Sequence, residues 1–155
     1  MIRGELVTNV WLYRFASTKP PSPQLLAACA SAGIEVELPS ELPAKGPGIL
    51  VFDEVSPRLC EAVRAASRSG RERLIALSVS PEPWQGEDPW PLLEAGASDV
   101  VGWDPRADPP GEELASRLHR WEEVDRLLES AVVRDQLVGD SPVWRSQSGR
   151  TSNWT

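Results

Sequence analysis

The side chains with chemistry to offer stand at the ends of apolar runs. Arg14 and Phe15 close the run NVWLYRF. Asp53 and Glu54 follow GILVF, Ser78 lies in RLIALSVS, and Trp103 and Asp104 close SDVVGW. A guanidinium, a carboxylate and a hydroxyl are groups for pairing charge, and they act together only if the fold brings those ends together. The first loop adds Ser17, Thr18 and Lys19, groups suited to holding phosphate, although Pro20 and Pro21 follow at once. Other chemistries lack their parts. His119 is the single histidine, and neither Cys29 nor Cys60 forms a Cys/His pair with metal-ligand spacing. No Gly-x-x-x-x-Gly-Lys-Ser/Thr motif is present, so ATP hydrolysis is not expected of this chain. No metal, cofactor or catalytic residue is assigned.

Composition narrows the partners. The chain has 155 residues, 41% of them hydrophobic, enough for one packed domain with an extension. Its net charge of −7 argues against a nucleic-acid surface, which carries a basic face. The basic cluster Arg64, Arg68, Arg71 and Arg73 is broken by Glu72 and reads as a solvated helix end. The first twenty residues lack the basic-then-apolar order of a signal peptide. No apolar run is long enough to span a bilayer, and two cysteines do not make a disulfide scaffold. A cytoplasmic protein with no membrane partner is expected.

The elements that would position these residues alternate. Strands are expected over 9–15, 34–38, 48–53, 73–80 and 98–103. Ser22-Pro23 and Ser56-Pro57 each pair an N-cap with proline at the first helical position. They open helices that stop at Gly33 and at Ser69-Gly70. A short helix is expected over 89–95 and a long one over 110–138. IEVEL, with alternating apolar and acidic residues, suits an edge strand, whereas GILVF suits one covered on both faces. This order predicts a three-layer, doubly wound α/β fold with a five-stranded parallel sheet, flavodoxin-like in its order 2-1-3-4-5, followed by a long C-terminal helix. The link 39–47 is too short for a full crossover helix, which should therefore be vestigial.

Two segments carry a family resemblance. Gly48-Ile-Leu-Val-Phe-Asp53-Glu-Val-Ser-Pro57 resembles the acceptor strand of response-regulator receiver domains, with a proline four residues after the Asp. Leu77-Ser78 matches the hydroxyl position on the fourth strand, and Leu92-Leu-Glu-Ala-Gly-Ala-Ser-Asp99-Val-Val resembles the receiver stretch LEAGADDYL. The resemblance implies phosphoryl transfer to Asp53, with a metal and a cation neutralising the developing charge and Ser78 sensing the phosphate. Receiver domains hold Mg2+ with acidic residues after the first strand. Here that place holds Tyr13-Arg14-Phe15, and the lysine place holds Trp103 or Asp104. Asp53 is thus a phosphoacceptor-equivalent expected to be inactive and salt-bridged to Arg14. Ser78 and Trp103 are switch-equivalents, with Trp103 filling the former pocket.

Signal output falls to the last helix. Trp121, Val124, Leu128 and Ala131 follow a three-four spacing and predict a two-stranded coiled coil, hence a homodimer. Glu113/Arg117 and Glu122/Arg126 are i,i+4 pairs, and His119 is expected on exposed helix surface. Leu137-Val-Gly-Asp-Ser-Pro-Val-Trp-Arg145 resembles the opening of the AAA+ domain in sigma-54-dependent transcriptional activators. The resemblance implies a regulatory pseudo-receiver over 1–121, a linker helix over 122–138, the start of an AAA+ segment over 139–145 and a disordered tail over 146–155, the chain being truncated there. Its partners would be that AAA+ ATPase and, through it, sigma-54 RNA polymerase. It would act by protein contacts, not as an enzyme. The alternatives are a working two-component receiver phosphorylated on Asp53, and a flavodoxin-like module for a small ligand. Trp84 and Trp90 mark a surface loop open to a partner or to local packing.

Overall fold

The computed structural model describes residues 8–81 and 88–138, with side chains to 131. Nine elements follow one another: β1 (Thr8–Arg14), α1 (Pro23–Ser31), β2 (Ile34–Glu37), β3 (Gly48–Phe52), α2 (Pro57–Ser67), β4 (Leu74–Val79), α3 (Trp90–Ala95), β5 (Asp99–Trp103) and α4 (Gly111–Val138). The five strands form one parallel sheet in the order β2-β1-β3-β4-β5. The chain is therefore a flavodoxin-like α/β fold, with a 28-residue C-terminal helix. It divides into two compact units, Met1–His119 and Arg120–Thr155, two residues before the expected boundary.

Proline and serine set the helix starts. The Ser22 hydroxyl accepts from the Leu25 N–H and the Ser56 hydroxyl from the Leu59 N–H, each with proline at the first helical turn. Strand alternation then sorts the core. On one face Trp11, Leu50, Phe52, Leu74 and Ala76 pack with Leu59, Val63 and Ala66 of α2 and Leu92 and Ala95 of α3. Val10, Leu12, Ile49, Val51, Ile75 and Leu77 are also buried but alternate with that set, so they point to the other face. Leu25 and Cys29 of α1 and Leu114 and Leu118 of α4 supply buried apolar surface outside the first cluster. A Cβ on Gly111 would strike Ala28, which places the start of α4 against α1. Each fully buried Leu, Val or Phe contributes about 1.5–3 kcal/mol, so these two layers set the stability.

The link from β2 to β3 contains no helical residue. A proline-rich strap takes the place of the crossover helix and lies over Trp11, whose indole N–H donates to the Lys45 carbonyl. Gly48 is required beneath it, because a Cβ there would enter the Trp11 ring. A cavity of about 390 Å3 lies along the strap, bordered by Trp11, Pro39, Pro43, Lys45 and Pro47. Among the described residues, no helix is long and apolar enough to cross a membrane.

Candidate functional site at the carboxyl ends of the strands

Parallel pairing brings the predicted residues to one end of the sheet. Arg14, the last residue of β1, lies in register with Val51, and the Phe15 N–H still donates to the Val51 carbonyl. The guanidinium reaches two residues further, just past the end of β3, where Nη2 donates to Asp53 Oδ1 at 2.7 Å. The Asp53 side chain remains 62% exposed while that of Arg14 is 20% exposed. The carboxylate is thus accessible at the rim and already matched by a fixed cation. The other guanidinium terminus, Nη1, is buried with no hydrogen-bond partner among the described residues.

Ser78 is fully buried on β4 between Phe52 and Gly102. It alternates to the same face as Ala76, toward α2 and α3, and its Oγ has no partner among the described residues. An unpaired buried hydroxyl costs about 1–3 kcal/mol, so an apolar replacement of similar size would be tolerated for stability alone.

Trp103 differs from its expected place. It belongs to β5, pairs with Val79, and is buried with its indole N–H donating 3.0 Å to the Ala107 carbonyl. Val100 packs against the α2/α3 cluster, so strand alternation turns Val101 and Trp103 to the opposite face from Ser78. The tryptophan therefore fills the second core layer rather than a strand-end pocket. Asp104 is the residue that stands just past the strand. Arg106 holds it through Nε, Nη2 and the backbone N–H, and Nη2 also donates to the Pro81 carbonyl. These hydrogen bonds keep the Asp104 carboxyl below its ordinary value.

Comparisons with protein-family models, with curated proteins and with solved structures return no match.

The geometry pairs acids with arginines throughout. Besides Arg14–Asp53 and Arg106–Asp104, Arg117 on α4 bonds Asp99 at the start of β5 and Glu113 one turn earlier. Among the described residues no three His, Cys, Asp or Glu side chains are grouped to hold a metal. Two features escape a reading by sequence. Arg106 reaches Asp104 across a loop whose turn leaves no periodic signal. A cavity of about 190 Å3 lies beside Arg14, bordered by Ser17, Lys19, Leu38, Pro39 and Ser40. Only Ser17 and Lys19 were legible as phosphate-suited, whereas Ser40 arrives from the far end of β2.

Val124 and Leu128 are exposed, as are Leu127 and Ala131, whereas Trp121 is half-buried. His119 is half-buried and engaged rather than free on the surface, because it falls one residue after the buried Leu118. Trp90 is exposed. Trp84, the segment 139–145 and the tail 146–155 lie outside the described residues.

Proposed function

We propose that this chain is a regulatory pseudo-receiver, working by protein contacts rather than by phosphorylation of Asp53. The observation that carries the reading is the Arg14–Asp53 ion pair, 2.7 Å long at the carboxyl end of a flavodoxin-like sheet. A permanent guanidinium next to that carboxylate supplies the positive charge that a metal supplies in a working acceptor site. Output would pass along α4, whose exposed Val124 and Leu128 suit a homodimeric coiled coil. The resemblance of Leu137–Arg145 to the opening of a sigma-54 activator's AAA+ domain suggests the recipient: an ATPase ring that acts on sigma-54 RNA polymerase.

A second reading keeps Asp53 as a phosphoacceptor. Its carboxylate is open to a donor, and the Ser78 hydroxyl is buried and unpaired as a sensing group would be before phosphate arrives. Incubation with Mg2+ and acetyl phosphate separates the two. The pseudo-receiver reading expects no stable mass increase of one phosphoryl group. Labelling of the wild type that disappears in Asp53→Asn would overturn it.

A further inference from the structure

We draw no further inference here: the strongest candidate, the face of β1 and β2 left open beside the proline-rich strap, carries the exposed Asn9, Glu35 and Glu37 in register next to Trp11, and nothing among the described residues shows what covers it.

Discussion

Cys29 shows how one residue's surroundings decide its chemistry. Its thiol is fully buried in α1, and burial pushes its pKa up from 9.0 to about 11. Cys60 on α2 is half-buried and free. Only a thiolate reacts, so at pH 8 Ellman's reagent should label one cysteine in the native protein and two in denaturant. The same burial makes stability depend on pH. Between about 9 and 11 the unfolded thiol has lost its proton and the native one has kept it. The native state binds more protons there, so raising the pH favours unfolding, by at most about 3 kcal/mol at the top of the window. Below pH 9 the contribution is fully present. Urea melts at pH 8 and 10.5 should show the loss in the wild type, and Cys29→Ala should lack that part of it. Equal slopes in the two proteins would remove Cys29 as the cause. Arg14 makes the complementary point. The sequence pattern was enough to expect a cation at Asp53, because parallel register brings the ends of β1 and β3 together. The second terminal nitrogen of Arg14 is buried without a partner among the described residues, and no local sequence pattern encodes that.

Element by element, the chain is most legible where serine, proline and glycine punctuate it. The starts of α1 and α2 and the continuous burial of β3 follow from Ser22-Pro23, Ser56-Pro57 and GILVF. The strap 39–47 was legible only as too short, since its contact with Trp11 joins residues far apart in the chain. Trp103 was misplaced because a strand's last residues can face either layer, and only the pairing of β5 with β4 decides which. The end of α2 yields a prediction against intuition. The helix closes on Arg68 at φ 51° and ψ 48°, with Ser69 at φ 58° and Gly70 at φ 94°. A left-handed conformation costs a non-glycine residue roughly 1–2 kcal/mol. The exposed Arg68–Glu72 pair, 3.9 Å apart, returns little of this. Arg68→Gly should therefore stabilise the protein by about 0.5–1 kcal/mol, even though it removes a side chain and loosens the unfolded state. Thermal or urea unfolding measures it, and a destabilised variant would mean that the pair outweighs the backbone term.

At the scale of the whole molecule, the open question is what covers the apolar stripe of α4. The unit that ends at His119 uses Leu114, Ala115 and Leu118 from the first turns of that helix in its core. The following unit carries Val124 37% exposed, Leu128 55% exposed and Leu127 68% exposed. Most helical stability in a protein comes from packing of an apolar face, so a regular segment here needs support from packing. Trp121, Val124, Leu128 and Ala131 repeat at the spacing of a two-stranded seam, and a second copy of the chain supplies the same stripe. Little more than two heptads limits the strength of that seam. Its charge opposes it further: residues 120–138 hold three arginines against five acidic residues, on a chain of net charge −7. Sedimentation equilibrium should therefore show a weak dimer that dissociates on dilution into the low micromolar range or below. Leu128→Glu should make the chain monomeric while leaving the unfolding of the α/β unit unchanged, because this side chain lies outside its core. Salt should act in an unusual direction. Raising NaCl from 0.05 to about 0.5 M shortens the Debye length from roughly 14 to 4 Å and screens the repulsion between like-charged copies. The dimer should tighten with salt, as an apolar seam between acidic chains does. A dimer that weakens with salt would point to an interface built on ion pairs instead of this stripe. A monomer at every concentration and salt would remove dimerisation as the route by which a signal leaves the domain.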